Sequence, residues 1–184
     1  MEWYEVVEFG RESKFEQGDI ITNCPFYDTH PDGKGGLETN VYRYDVVIMT
    51  QSCDLENGKT DKIFVAPWKP LQYHLDAFLA KQQRINPDKL MLTVKEKRNF
   101  FENLKNGIFY RYYILDKCPD CGLPEHPVID FGNTYSVSLS ELNRIAFDQN
   151  SIIRLKSPFK EHLSQAFARY FMRVGLPSTI QNPF

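Results

Sequence analysis

Cys53 and Asp54 stand where an apolar run meets small polar side chains, in Tyr44-Asp45-Val46-Val47-Ile48-Met49-Thr50-Gln51-Ser52-Cys53-Asp54-Leu55. A thiol attacks as its thiolate, and its pKa must first be lowered by a base, a cation or a helix N-terminus. A carboxylate beside it acts the other way, so Asp54 argues against a catalytic Cys53. Of the four histidines, His74 is the candidate partner, because its helix follows the next strand. The same residue lies on the apolar stripe of that helix, where a packed histidine is the commoner outcome. Two readings result: a nucleophilic Cys53 paired with a histidine, or a half-buried Cys53 with Asp54 binding turn N–H groups. The missing base favours the second.

Cys118-Pro119-Asp120-Cys121-Gly122 is the other reactive pattern. A Cys-x-x-Cys turn relieved by glycine is how half of a structural zinc site is built. His126 is the third ligand candidate, and Cys24 or His30 the fourth. A redox dithiol would sit at a helix start, whereas Pro119, Gly122 and Pro124 read as loop. The plainer alternative is a pair of unbonded loop thiols. No cofactor other than this structural zinc is implied.

The carboxylates Asp19, Asp45, Asp54 and Asp130 fall at turns or strand ends. Asp54 and Asp130 would share a divalent metal if those ends converged. Asp61-Lys62 does not supply the carboxylate-x-Lys pattern of a restriction-type nuclease. Arg169 and Arg173, four apart on a helix, would clamp a phosphate or carboxylate or form a solvated face. Walker A, Gly-x-Gly-x-x-Gly, His-Glu-x-x-His and Gly-x-Ser-x-Gly motifs are all absent. ATP-driven, dinucleotide, zincin and α/β-hydrolase chemistries therefore lack their signatures.

The elements that must position these groups follow from periodicity. Val41 to Met49 predicts a strand whose consecutive apolar centre demands cover on both faces. Lys62 to Trp68 predicts its partner after a turn-rich Glu56-Asn57-Gly58-Lys59. Ile20-Ile21-Thr22 begins a strand that Pro25 should end or push to an edge. Residues 28–39 read as a glycine-rich loop. Leu71, His74, Leu75, Phe78 and Leu79 form one helical stripe, and Val94 to Leu104 a second helix. Phe109 to Leu115, Pro127 to Phe131, Tyr135 to Val137 and Ser151 to Leu155 predict strands, with a short helix from Ser138 through Leu142. Residues 2–9 fit a strand or a helical turn. Ser157 as N-cap, Pro158 at the first position and Gly175 as the stop predict a closing helix over 158–174, with Leu163, Phe167, Tyr170, Phe171 and Val174 inward.

These elements predict one α+β domain over 1–184: a small bent sheet or SH3-like barrel from strands in 17–69 and 109–155, a helical insertion over 70–105, and a closing helix over 158–175. A net charge of −2 lacks the footprint of a dedicated nucleic-acid binder, though a local basic patch remains open. No run reaches the roughly 18 apolar residues of a membrane span. Met1-Glu2-Trp3-Tyr4-Glu5 is not a secretory signal. The expected setting is the cytoplasm, with thiols rather than a disulfide framework.

Gly18-Asp19-Ile20, Arg43 ahead of Val46-Val47-Ile48-Met49-Thr50, and Ile63-Phe64-Val65-Ala66-Pro67 together resemble the MazF/PemK-type growth-inhibitor toxins. The resemblance covers residues 17–68. It implies an SH3-like barrel that cuts RNA or binds gyrase, in a groove that an antitoxin also occupies, with Arg43 as the cation. The family carries Arg-Pro at the position of Arg43-Tyr44, and Thr or Ser where this chain has Trp68-Lys69. The remainder, including Ala166 to Pro177, resembles uncharacterised bacterial proteins that share Thr-Gln-Ser-Cys-Asp, and brings no activity with it.

Two functions follow as expectations. One is a binding or regulatory module of a bacterial or phage-related system, holding a protein, peptide or nucleic-acid partner in a groove near Gln51 to Leu55. Gln51, Ser52, Trp68, Arg169 and Arg173 would be its contacts. The other is a small hydrolase, such as a toxin-like nuclease, using Cys53 or Asp54 with Arg43 or an arginine of the last helix. The missing catalytic set favours the module.

Overall fold

The computed structural model describes residues 2–172. Its elements run β1 (Tyr4–Glu8), β2 (Asp19–Pro31), β3 (Leu37–Ile48), α1 (Ser52–Glu56), β4 (Lys62–Pro70), α2 (Leu71–Ile85) and α3 (Val94–Lys105), followed by β5 (Tyr112–Ile114), β6 (Pro127–Asp130), β7 (Tyr135–Ser138), α4 (Leu139–Gln149), β8 (Ser151–Leu155) and α5 (Phe159–Phe171). The protein is α+β. All its strand pairings are antiparallel, in the order β1-β8-β2-β3-β4-β6-β5, with β7 also on β4. β1 and β5 are the ends of that order. No helix of the described residues is long and apolar enough to cross a membrane.

The consecutive apolar run in β3 divides as its period requires. Val46 and Ile48 join Ile63, Val65, Leu142, Ile145 and Ala146 on one face of the sheet. Val47 and Met49 join Ala66, Trp68, Phe131, Phe159 and Leu163 on the other. Thus α4 covers one side and α5 the opposite one. A smaller cluster of Leu75, Phe100, Leu104 and Val128 joins α2 and α3 to β6.

The segment 28–39 departs from its expected loop. β2 and β3 continue as a two-stranded arm, paired from Cys24↔Tyr44 to Pro31↔Leu37. Pro25 and Pro31 are tolerated because β8 accompanies β2 only at Asp19 and Ile20, leaving the arm with an open edge. Only the tip is a turn, in which Asp32 Oδ1 accepts from Lys34 N and Gly36 N at 2.7 and 2.8 Å. A one-residue register shift between Ile21 and Cys24 marks the root of the arm. There Asn23 takes φ 59° and its N–H donates to Asp45.

Other boundaries move for local reasons. α4 runs well past Leu142, because Leu142, Ile145 and Ala146 form a buried i, i+3, i+4 stripe. Its N-cap is Ser138, as expected, accepting from Glu141 N. α5 begins at Phe159 rather than Pro158, and the Ser157 hydroxyl donates to the Glu161 carboxylate instead of capping. Phe159 and Leu163 are its buried residues, while Phe171 is exposed; Val174 lies outside the described residues. The strand expected over Phe109 to Leu115 contracts to Tyr112–Ile114.

A buried ion network pins the N-terminal turn to the sheet. Asp19 is fully buried and receives two bonds from Arg154, at 2.7 and 2.9 Å, and one from Glu16 N. Arg154 also reaches Glu16 and the Lys14 carbonyl, and Lys160 of α5 bonds Glu16. Such a pair is stable only when every remaining donor and acceptor is engaged.

Candidate functional site

The loop after β3 is built for structure more than for reaction. Met49 N and Thr50 N both donate to the Phe64 carbonyl, and Phe64 N donates to Thr50 Oγ1 at 2.7 Å. The chain then enters the short helix α1 rather than an open turn, with Gln51 as N-cap. Ser52 Oγ accepts from Gln17 N at 3.1 Å, while Gln17 Nε2 donates to the Met49 carbonyl. Ser52 is thereby tied to the turn that the Asp19–Arg154 network holds.

Cys53 is exposed, and its sulfur faces oxygens: Gln51 Oε1 at 3.7 Å and Asp54 Oδ1 at 3.9 Å. Asp54 pairs with Lys59 at 3.2 Å. Arg43 lies five residues before the end of β3, roughly 16 Å along the strand, and donates to the Asn23 carbonyl. His74 belongs to the opposite end of β4, a strand of nine residues and thus roughly 30 Å long. The helix of His74 starts only after β4 has run its whole length, so chain order misleads about proximity to Cys53. Gln51 and Ser52 line a shallow cleft with Gln17, Lys160 and Ser164, and Trp68 is not among its walls.

Cys118 and Cys121 are joined to each other as a disulfide, against the expectation of free thiols. Cys121 N closes the turn between them on the Cys118 carbonyl, and just past it Gly122 takes a positive φ of 86° that lets Cys118 N reach the Leu123 carbonyl. His126 turns away to place Nδ1 3.0 Å from the Leu115 carbonyl. Cys24 is buried beside Tyr135, where burial pushes its thiol up to about 11. His30 sits on the β2–β3 arm, 3.9 Å from Glu38. In this arrangement the two sulfurs are bonded together, and His126, Cys24 and His30 face other partners. Among the described residues no three metal-ligating side chains gather.

Asp54 and Asp130 also fail to meet. Asp130 is bound by Arg111 Nε and a second guanidinium nitrogen at 2.6 and 2.8 Å, by Gly132 N at 2.9 Å and by Asn133 Nδ2 at 2.8 Å. Arg169 lines a separate cleft of about 490 Å³ with Trp3, Phe101, Tyr113, His126 and His162. Arg173 lies outside the described residues.

The strongest convergence is at the far end of β4. One edge of β4 pairs with β7 up to Val65↔Tyr135 and with β6 from Trp68↔Ile129. Two residues of β4 thus face five of the opposing chain, and the three extra ones bulge out as the turn Phe131–Asn133. Asp130 caps that turn through Gly132 N. Beside it opens a cleft of about 440 Å³, lined by Phe26, Tyr44, Trp68, Lys69, Tyr73, His74, Asp130 and Tyr135 among others. The Phe26 and Tyr135 rings meet edge-on at 5.1 Å, Tyr44 lies 6.0 Å from Phe26, and Lys69 Nζ lies 5.5 Å over the Tyr44 ring.

Three buried side-chain polar atoms of the described residues lack a hydrogen-bond partner: Trp68 Nε1, His74 Nε2 and Tyr135 Oη. All three belong to residues lining this one cleft. Trp68 is only 9% exposed. The Tyr135 hydroxyl faces the Cys24 thiol, a weak acceptor. Burial lowers the His74 pKa against the pull of Asp130 and the Val128 backbone, so the imidazole is neutral. An unsatisfied buried polar atom costs about 1–3 kcal/mol, and native folds retain few of them.

The sequence reading named Trp68 as a contact of a groove near Gln51 to Leu55, and His74 and Asp130 in other roles, but did not bring them together here. The lining comes from β2, β3, β4, α2, β6 and β7, and no local pattern links it. A scan against protein-family models finds no match for this chain, and a search of curated proteins finds none either.

Proposed function

We propose that the protein is a recognition module whose site is the ring-walled cleft at Trp68, where a group of a partner molecule inserts. The observation that carries this reading is that all three unpartnered buried side-chain nitrogen and oxygen atoms among the described residues belong to residues lining one cleft. Polar groups left without partners are tolerated where a ligand completes them. Cys53, facing two oxygens, does not assemble a nucleophile and base with Arg43 and His74, which leaves binding as the better-supported activity.

The chain has two tryptophans, so a Trp3→Phe variant reports Trp68 alone by fluorescence. Titration with a short proline-rich peptide, a short single-stranded oligouridylate and free mononucleotides should give a saturable change with at least one of them. Trp68→Phe in otherwise wild-type protein should weaken that ligand's affinity about tenfold or more, the effect of leaving its acceptor unpaired. Silence from all three probes overturns the reading.

A further inference from the structure

We propose that the Trp68 cleft takes one heterocyclic base of a nucleotide, stacked against its rings, with the attached phosphate toward Lys69. This inference rests on the recognition reading above and names its ligand.

The walls supply stacking surface from several directions. Phe26, Tyr44, Tyr73 and Tyr135 stand around one cavity, and Phe26, Tyr44 and Tyr135 are in mutual ring contact. Aromatic side chains hold bases by their π-faces whatever the base. The cleft also carries both kinds of hydrogen-bonding group. Trp68 Nε1 can only donate, and the Tyr135 hydroxyl does either. His74 Nε2, without a partner, donates or accepts according to the tautomer. A base edge alternates donors and acceptors and so completes this set. Six rings, counting Trp68 and His74, provide far more flat surface than a peptide group uses.

The electrostatics limit the ligand to one nucleotide instead of a tracked strand. Among the described residues, Lys69 is the cation lining this cleft, and it has no carboxylate partner there. Arg111 is committed to Asp130 through two bonds. A strand-binding groove needs a row of such cations, and the chain's net charge is −2.

Entry requires movement, because the Trp68 and His74 nitrogens are sealed from solvent. The segment that must yield is 132–134, which forms no ladder with β4, while Phe131 stays anchored by its buried ring and by its N–H to the Arg111 carbonyl. The segment is held through the Asp130 carboxylate, whose bonds to Gly132 and Asn133 fix it in the closed form.

The test uses Trp3→Phe protein titrated with adenosine, cytidine, guanosine and uridine monophosphates, with the matching nucleosides and ribose phosphate as separate arms. At least one monophosphate should change Trp68 emission saturably. Its nucleoside should bind several-fold more weakly, and Lys69→Ala should erase that difference. Tyr135→Phe should weaken binding while leaving the protein folded by circular dichroism. If ribose phosphate binds as well as the nucleotides, the site holds an anion and the inference fails. If the oligouridylate binds and no mononucleotide does, the single-nucleotide proposal fails while the recognition reading stands. A response to the peptide alone has the same consequence. No response to any probe ends both.

Discussion

Replacing Tyr135 by Phe should stabilise the free protein, although the change removes a buried polar group. The hydroxyl has no partner of normal hydrogen-bond geometry, and an unsatisfied buried group costs about 1–3 kcal/mol. The nearby Cys24 thiol offsets part of that cost, which places the expected gain near the lower end, about 1 kcal/mol. Ring packing is retained, because the contacts to Phe26 at 5.1 Å and Tyr44 at 6.4 Å involve the ring itself. For a chain of 184 residues, a change of that size shifts the melting temperature by about 2–4 °C. Thermal unfolding followed by circular dichroism, with a urea titration to check that the slope is unchanged, measures it. The sign is diagnostic. A hydroxyl with a good partner gives a fall of similar size on removal, and such a fall would refute the reasoning that Tyr135 awaits a ligand.

Three further outcomes follow. Arg154→Met leaves the fully buried Asp19 charge with Glu16 N as its remaining bond, and should cost about 3–5 kcal/mol in urea unfolding; adding Asp19→Asn should recover part of the loss. His74 is a base whose pKa burial lowers in the folded state. Below about pH 6.5 the unfolded chain therefore binds a proton that the folded one resists, and stability falls as pH falls. His74→Phe should flatten that slope in urea titrations across the acidic range, and an unchanged slope contradicts the burial argument. Gly132→Ala places a methyl 2.5 Å from Arg111 Nε, so it should loosen the Arg111–Asp130 pair and the turn beside the cleft, read as faster amide exchange at 132–134.

Much of the fold was legible because it is local. β8 runs from Ser151 to Leu155, as its β-branched run predicts. The unbroken apolar stretch of β3 required two covered faces and has them. The α2 stripe places Leu75 in the core, with Leu71, Phe78 and Leu79 packed against it. Residues 28–39 of the β2–β3 arm were illegible as strand because they bury almost nothing, so their polar, proline-bearing sequence carries no strand period. Asp19 and Arg154 are 135 positions apart, and nothing near either residue names the other. The Cys118–Cys121 spacing is shared by thiols, metal ligands and disulfides, and sequence alone does not choose among them. The cleft depends on a mismatch of three residues between β4 and the chain beside it, a tertiary feature that only the pairing reveals.

The most direct test of the cleft as recognition site is the pair of indole N–H signals in a heteronuclear correlation spectrum. Trp68 Nε1–H has no partner in the free protein, whereas Trp3 lies in the separate cleft with Arg169. Titration with the probe that changes Trp68 emission should move the Trp68 indole signal downfield as the bond forms, while the Trp3 signal stays in place. Movement of the Trp3 signal with Trp68 fixed would contradict the account and transfer the site to the other cleft.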